Sequence, residues 1–334
     1  MKKLLTGISA IALVCAATAA YAETVLTVSS WASPRHSMNA KTFPRMNEIL
    51  QECSGGDLSL KIEYGLAPPP AQYDTVRDGV ADLTWIVHGY TPGKFVTTKL
   101  AELPGIQGNA ESISAAYMAT HEKYLAAAGE AKGVEVLANF VHGPGLLNTK
   151  VELEDGYRSI DGMKLRVGGG VANAVGTALG VAGVNVPAPA VYETIASGVA
   201  DGVFFPAETM FAFKVAELVK YSYVNPDGMY TTSFGIIMNS DSYDGLSDAH
   251  RACVDEMRGV EMSRWIGKIW DEADDFGREK GVADNGLNII EMDADQRAYF
   301  KEKTAHIEAN VVAEVTGKGV DGAAALEFMK SQIK

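Results

Sequence analysis

The chain has 334 residues, a formal net charge of −13 at pH 7 and apolar side chains at 47% of its positions. This length allows about two globular domains with full cores. The acidic excess argues against binding to nucleic acid or to an anionic membrane face. A protein of this charge that binds an anion must build a local positive site for it.

The N-terminal segment has the features of an export signal. Lys2 and Lys3 precede an apolar run over residues 4–20, and Ala20-Tyr21-Ala22 has the small-x-small pattern of a cleavage site. The run is interrupted by polar residues and is shorter than the roughly 20 residues of a bilayer span. Residues 1–22 are therefore predicted to be a cleaved signal peptide. We expect a mature chain that starts at Glu23 and has no stable membrane insertion.

Two cysteines, Cys53 and Cys253, remain after this cleavage. An oxidising compartment would permit a disulfide between them. Two separately buried thiols are the alternative, and the sequence leaves both open.

Strands alternate with helices along the chain, which predicts βαβ units and a largely parallel sheet, the α/β class. The predicted strands are Thr24–Ser29, Leu58–Tyr64, Leu83–Val87, Lys164–Val167, a short one near Val184, Val203–Phe205 and Phe234–Asn239. The predicted helices are Met38–Glu52, Tyr73–Arg77, Val171–Leu179, Tyr192–Ala196 and a long one over about Ser247–Gly281. The long helix is expected to support both halves of the molecule, with Glu261, Arg264, Lys268 and Asp271 on its solvated face.

A local similarity joins the two halves of the chain. The sequence Asp78-Gly79-Val80-Ala81-Asp82 precedes one predicted strand, and Ser197-Gly198-Val199-Ala200-Asp201 precedes another. In each, the glycine can adopt the left-handed conformation that ends a helix, and the aspartate can orient the turn into the strand. Two similar half-units are implied.

Catalytic signatures are missing from the sequence. It contains no G-x-S-x-G, H-E-x-x-H or C-x-x-C motif, and no two of its six histidines lie three or four residues apart. The chain is therefore predicted not to be an enzyme and to hold neither a cofactor nor a metal. An exported enzyme and a sensor module that signals to a receptor remain as alternatives.

The loop Gly168-Gly169-Gly170 lies between a predicted strand and a predicted helix. Its backbone amides and the positive end of the helix dipole could receive an anion. A plain tight turn is the alternative. It is not a dinucleotide fingerprint, because Asn173 replaces the third glycine of that motif.

The position of Arg166 most requires an explanation, because the predicted strand that carries this charged side chain is otherwise mainly apolar. A buried guanidinium is costly unless it is paired, and its planar fork suits a carboxylate. The partner is a ligand carboxylate or an internal Asp or Glu.

Aromatic residues gather at the strand ends and loops that would face a cleft between the two halves. They are Trp31, Tyr73, Trp85, Tyr90, Phe204, Phe205 and Phe211. Trp85 and Phe204 lie on strands, where core packing explains them equally well, whereas the loop or turn contexts of Trp31 and Tyr73 favour ligand contact. The cluster indicates a ligand with an apolar or aromatic body.

Several ordered motifs resemble one family, the solute-binding subunits of tripartite ATP-independent periplasmic (TRAP) transporters, of the dicarboxylate-binding (DctP) type. They span most of the predicted mature chain. The motifs are Tyr90-Thr91-Pro92-Gly93-Lys94-Phe95, Glu102-Leu103-Pro104, His142-Gly143-Pro144-Gly145, the segment 160–167, Tyr192-Glu193, the segment 198–202 and the segment 234–239.

This resemblance implies a two-lobed, type II-like periplasmic-binding-protein clamp with a cleft between the lobes and a long helix that spans both. The expected division is residues 23–145 plus 233–270 for the first lobe, 146–232 for the second, and 271–334 for C-terminal helices packed on the lobes. It also implies a periplasmic location and two membrane partners, the small and large permease subunits.

The resemblance places the carboxylate-binding arginine of the family at Arg166. The other residues that it places in the cleft are Gly168, Gly169, Trp31, Tyr73, His88, His142, Phe204, Phe205 and Glu208. Acid-sugar binders of the family carry Gln or Asn where this chain has Val203-Phe204-Phe205-Pro206, and a second arginine near Gly145, and this chain has neither. The departures favour an organic acid with one carboxylate and an apolar or aromatic body, because a sugar acid would leave polar groups unpaired.

Overall fold

The computed structural model describes residues 23–334. The predicted signal peptide therefore lies outside the described residues. The strands are β1 (Thr24–Ser30), β2 (Leu58–Tyr64), β3 (Leu83–Val87), β4 (Val134–Val141), β5 (Leu146–Thr149), β6 (Lys164–Val167), β7 (Ala182–Asn185), β8 (Gly202–Phe205), β9 (Tyr221–Val224), β10 (Ser233–Asn239) and β11 (Asn288–Glu291).

These strands form two mixed sheets. The five-stranded sheet has the order β2-β1-β3-β10-β4, and the six-stranded sheet has the order β11-β9-β5-β8-β6-β7. In the first, β1 is parallel to both β2 and β3, while β10 is antiparallel to β3 and β4. We call each sheet with its flanking helices a lobe, the first and the second. The α/β prediction is confirmed.

Eleven α-helices are assigned over the described residues. They are α1 (Phe43–Ser54), α2 (Gln72–Arg77), α3 (Ala110–Thr120), α4 (Gly170–Ala178), α5 (Val191–Ala196), α6 (Thr209–Ala212), α7 (Ser240–Asp244), α8 (Asp248–Asp255), α9 (Val260–Asn285), α10 (Ala294–Thr316) and α11 (Gly322–Gln332). A π-helical turn over Met38–Thr42 precedes α1, and a 3-10 helix over Thr97–Glu102 follows β3.

The predicted long helix over Ser247–Gly281 is two helices. Gly259 has a φ of +94°, which a right-handed helix does not allow, and its N–H donates to the carbonyl of Leu137 on β4. The chain therefore leaves α8 and starts α9 in a new direction. Asp271 is not on a purely solvated face either, because its carboxylate accepts the N–H groups of Ala110 and Glu111 at the start of α3.

Helix α9 touches both lobes, as predicted for the long helix. A Cβ added at Gly267 would lie 2.4 Å from the carbonyl oxygen of Ala110, and one at Gly277 would lie 2.2 Å from that of Ala207. Ala110 begins α3 beside the first sheet, and Ala207 follows β8 of the second. Glycines at these two positions let one helix pack closely on both lobes.

The two open alternatives for the cysteines are resolved in favour of a bond. Cys53 on α1 and Cys253 on α8 form a disulfide with a Cα–Cα distance of 5.6 Å, within the usual range. It joins positions 200 residues apart.

The local repeat has the expected backbone. Gly79 and Gly198 have φ values of +72° and +77°. In both turns the following aspartate donates its N–H to a strand carbonyl, Asp82 to Thr27 and Asp201 to Lys164. Each turn leads into a strand of its own sheet, β3 or β8.

Candidate functional site

Arg166 lies on β6 with only 1% of its surface exposed. Its Nε donates to the carbonyl of Val186 at 3.0 Å, and Nη2 donates to the hydroxyl of Tyr90 at 3.1 Å. Its guanidinium carbon lies 4.3 Å from the centre of the Phe205 ring. Neighbours on both lobes therefore fix the plane of the guanidinium.

Over residues 23–334, Arg166 has no carboxylate within 4.0 Å, so the internal partner that the sequence left open is not among the described residues. Carbonyls, a hydroxyl and an aromatic face hold it, and all of them are neutral. A buried cation surrounded only by neutral groups is costly, because desolvation is not offset by an opposite charge. The site is therefore prepared for an anion.

An aromatic cavity of about 40 Å³ lies beside Arg166. Its lining includes Trp31, Trp85, Tyr90, His142, Arg166, Gly168, Phe204, Phe205, Glu208, Phe213, Tyr230, Phe234 and Trp270. The rings pack closely on one another, with Trp31 and Trp85 stacked at a centroid distance of 4.0 Å and Phe234 and Trp270 at 4.9 Å. Such walls suit a flat, apolar ligand.

The structure brings most of the predicted site residues together in this cavity. Those that line it are Trp31, His142, Arg166, Gly168, Phe204, Phe205 and Glu208. His88 and Gly169 line a second, open groove that shares Tyr90 and Gly168 with the aromatic cavity. Tyr73 lines neither.

Tyr73 was expected in the cleft because of its turn context, but the structure places it inside the first lobe. It is the second residue of α2, and its side chain is 2% exposed. Its hydroxyl donates to the carbonyl of Lys132, and the ammonium of Lys94 lies 3.8 Å from its ring centre. These contacts account for the residue without a ligand.

The side chain of His88 is also fixed by a contact within the protein. It is buried, and burial lowers its pKa to about 3, so the ring is neutral. Its Nδ1 lies 3.1 Å from the hydroxyl of Ser233 on β10. His88 therefore joins β3 to β10 at the edge of the groove.

The start of α4, beside the glycine loop, is occupied by a carboxyl group of the chain itself. The carboxylate of Glu102 accepts the N–H of Val171 at 2.9 Å and, through its other oxygen, the N–H and hydroxyl of Ser233 at 3.0 and 2.7 Å. Ser233 begins β10 of the first lobe, whereas Val171 follows β6 of the second. Glu102 thus bridges the two lobes at the position where the sequence suggested a ligand anion.

Gly169 has a further role at this junction. Its φ is +85°, and a Cβ there would lie 2.5 Å from the carbonyl oxygen of Gly89. The two glycines let the backbones of the two lobes meet without side chains between them. Gly169 is therefore placed at the lobe contact and not in the aromatic cavity.

Tyr90 makes the second bridge. Its hydroxyl accepts the N–H of Ala188 at 2.8 Å and the Arg166 Nη2 at 3.1 Å. Tyr90 follows β3 of the first lobe, and both partners belong to the second. The residue that holds the guanidinium is therefore also a residue that holds the lobes together.

Replacing Glu102 with Ala is expected to weaken ligand binding about tenfold, because the N–H groups of Val171 and Ser233 lose their partner where the lobes meet. Titration calorimetry measures this. Glu130→Ala is the matched control, since the Glu130 carboxylate caps Val96 and Thr97 between β3 and β4. That variant should lose stability and keep its affinity. Unchanged affinity in Glu102→Ala would show that the bridge does not support binding.

Sequence reasoning missed several residues of the cavity. His36, Tyr230 and Trp270 line it, although they come from segments far apart in the chain. Tyr90 and Trp85 belong to the predicted cleft aromatics, but the sequence does not mark them as ligand-binding residues. Only the tertiary fold brings Trp270 of α9 against Phe234 of β10, and no local pattern predicts it.

Two acidic side chains near the cavity, Glu208 and Asp274, have raised pKa values. Burial, and then the charge of Asp274, raise the pKa of Glu208 well above its ordinary value. Burial raises the pKa of Asp274 to about 7, while the bond that its Oδ1 accepts from the Glu208 N–H acts in the opposite direction. Burial therefore favours the neutral form of the Glu208 carboxyl, and among the described residues no ion pair joins it to Arg166.

The arrangement is that of a receptor, with a prepared cationic anchor, an apolar cavity and two lobes that meet around it. Residues 28–314 match the model of a family described as bacterial extracellular solute-binding protein, family 7. The chain belongs to this family, which confirms the resemblance found in its motifs.

Three solved structures are similar over 93% of the chain. A TRAP periplasmic solute-binding protein from Bordetella bronchiseptica with bound (R)- and (S)-mandelate is 34% identical, with 98% of that chain covered and a TM-score of 0.89. A marine metagenome TRAP solute-binding protein specific for aromatic acid ligands, in complex with 3-hydroxybenzoate, is 32% identical, with 98% covered and a TM-score of 0.88. A third, from Rhodoferax ferrireducens with copurified benzoate, is 29% identical, with 97% covered and a TM-score of 0.87. The two-lobed fold is thereby confirmed.

None of the helices over residues 23–334 is both long enough and apolar enough to cross a bilayer.

Proposed function

We propose that this chain is the periplasmic receptor of a TRAP transporter and that its ligand is an aromatic monocarboxylate. The observation that carries the proposal is Arg166, a buried guanidinium with only neutral partners at the wall of an aromatic cavity. One carboxylate neutralises it, and the aromatic side chains supply the faces against which the ring of the same ligand packs once they separate to admit it. The ligands of the three similar structures support this class of solute.

Binding and closure are linked through Tyr90 in this proposal. Its hydroxyl contacts Arg166 and the Ala188 N–H at once, so a carboxylate that orders the guanidinium also favours the lobe contact. The ligand then shifts the population toward the closed form. The closed receptor would dock on the small and large permease subunits, and the ligand would leave unchanged.

A thermal-shift panel on the ligand-free chain from Glu23 tests the ligand class. Benzoate, phenylacetate and mandelate should raise the melting temperature, because a ligand at 100 times its Kd adds about 2.7 kcal/mol to the stability of the form that binds it. Benzyl alcohol and benzamide are the neutral controls and should have no effect. If only succinate or a sugar acid raised the melting temperature, the assignment to aromatic monocarboxylates would be wrong.

The same samples test the proposal that no reaction occurs. Chromatography of the ligand after prolonged incubation should recover it intact. A product that forms in proportion to the amount of protein would identify an enzyme instead.

A further inference from the structure

Three polar atoms of residues that line the aromatic cavity have no hydrogen-bond partner within the described part of the chain. They are His36 Nε2, Glu208 Oε2 and Trp270 Nε1. The three residues are 1%, 3% and 2% exposed. Buried polar groups are nearly always paired, so three unpaired ones around one cavity point to a partner that the protein does not supply.

His36 lies next to both of the other residues. His36 Nε2 is 4.0 Å from Glu208 Oε2, too far for a hydrogen bond but close enough for one small group to contact both. The rings of His36 and Trp270 meet edge to face at a centroid distance of 5.4 Å. The Glu208 N–H is bonded to Asp274, one turn beyond Trp270 on α9. We call His36, Glu208 and Trp270 the distal pole.

The hydrogen-bonding character of the distal pole follows from its contacts. His36 Nδ1 accepts the N–H of Met38 at 3.2 Å, and burial lowers the His36 pKa to about 3. The ring is therefore neutral, and its one proton is on Nε2. Trp270 Nε1 can only donate. The Glu208 carboxyl, whose neutral form is favoured by burial, can accept or donate. The pole offers two N–H donors and one carboxyl oxygen, which together match a hydroxyl group.

The distal pole is separate from the guanidinium of Arg166. Within residues 23–334, no hydrogen bond or ion pair joins Arg166 to any of its three members. Arg166 lies over Phe205, whose ring is 5.8 Å from that of Phe213, which in turn is 5.7 Å from that of His36. Two aromatic rings therefore line the path from one polar group to the other.

We propose that the distal pole selects aromatic acids that carry a hydroxyl group away from the carboxylate. The inference rests on the proposed function, since it takes the carboxylate to be on Arg166. The hydroxyl oxygen accepts from His36 and Trp270, and its proton is donated to Glu208. A second carboxylate suits the pole less well, because neither His36 nor Trp270 carries a positive charge there and Asp274 lies behind Glu208.

Titration calorimetry with matched ligands tests the proposal. The wild-type chain is titrated with benzoate and phenylacetate and with the 3- and 4-hydroxy derivative of each. At least one hydroxylated acid should bind roughly ten- to hundredfold more tightly than its parent, because the parent leaves the pole unpaired. Terephthalate, with a second carboxylate in place of the hydroxyl, should gain nothing over benzoate.

Variants of the distal pole then test whether its residues cause the preference for hydroxylated acids. Glu208→Leu and Trp270→Phe should each reduce the preference for the hydroxylated acid at least fivefold, whereas Glu208→Gln, which keeps an oxygen acceptor, should retain most of it. Equal affinity of the wild type for parents and hydroxylated acids would overturn the proposal while the proposed function stands. A preference that survives in both Glu208→Leu and Trp270→Phe would overturn it too. If no aromatic carboxylate bound the wild type, the proposed function itself would fail.

Discussion

Replacing Arg166 with Gln is expected to weaken the binding of an aromatic monocarboxylate by at least about 30-fold, or ~2 kcal/mol, measured by titration calorimetry. Truncating one partner of a desolvated charge pair costs this much or more. In the free protein the same guanidinium is 1% exposed and lies among neutral groups. The variant should therefore lose affinity without a comparable loss of stability, because it also removes a buried charge that lacks an internal counter-ion.

Arg166→Lys separates the charge of the residue from its geometry. The ammonium keeps the positive charge but cannot bond Val186, Tyr90 and a bidentate carboxylate at once. Its affinity should lie between those of wild type and Arg166→Gln. Arg278→Gln is the control for charge alone, since Arg278 is exposed and pairs with Asp275. If Arg166→Gln bound benzoate as tightly as Arg278→Gln, Arg166 would not be the anchor.

The second large effect concerns stability. Removing the disulfide with the Cys53→Ser, Cys253→Ser double variant should lower the free energy of unfolding by roughly 2–5 kcal/mol. The bond closes a loop of 200 residues between α1 and α8, so it restricts the unfolded chain strongly. Urea unfolding of the chain from Glu23 measures the loss. Ligand affinity should be unchanged, because neither cysteine lines the cavity.

A reductant provides the matched control for this variant. The midpoint of wild-type unfolding should fall to that of the double variant when dithiothreitol is present, and the midpoint of the double variant should not move. Identical wild-type curves with and without reductant would contradict a stabilising disulfide.

Much of the fold was predictable because its signals are local. The strand at β1 and the apolar run at β3 follow from side-chain pattern, and the left-handed glycines at Gly79 and Gly198 follow from the repeat. The division of the predicted long helix into α8 and α9 has no comparable local signal. A single glycine inside a helical pattern is tolerated in many helices, and only the bond from Gly259 to Leu137 on a distant strand shows why this one ends the pattern.

Arg166 was the most predictable part of the site, since a charged residue on an apolar strand requires an explanation whatever the fold. The glycine loop shows the limit of such reasoning. Its helix N-terminus was expected to receive a ligand anion, but the carboxyl of Glu102, 69 positions before Val171, occupies that position from the other lobe. Local sequence cannot distinguish an internal carboxylate from a ligand.

Of the distal pole, only Glu208 was expected in the cleft, from the family resemblance, and no local signal marks His36 or Trp270. His36 precedes a π-helical turn, Glu208 follows a strand of the second sheet, and Trp270 lies in the middle of α9. Each is compatible with ordinary packing in its own segment. Only the assembled cavity shows that all three have unpaired polar atoms.

A crystal structure of the chain with bound benzoate tests the central claim most directly. We expect the carboxylate within hydrogen-bond distance of the Arg166 guanidinium, the ring inside the aromatic cavity, and the Tyr90 contacts with Arg166 and Ala188 retained. Benzoate bound in the open groove beside His88 and Gly169, or bound without contact to Arg166, would contradict the account.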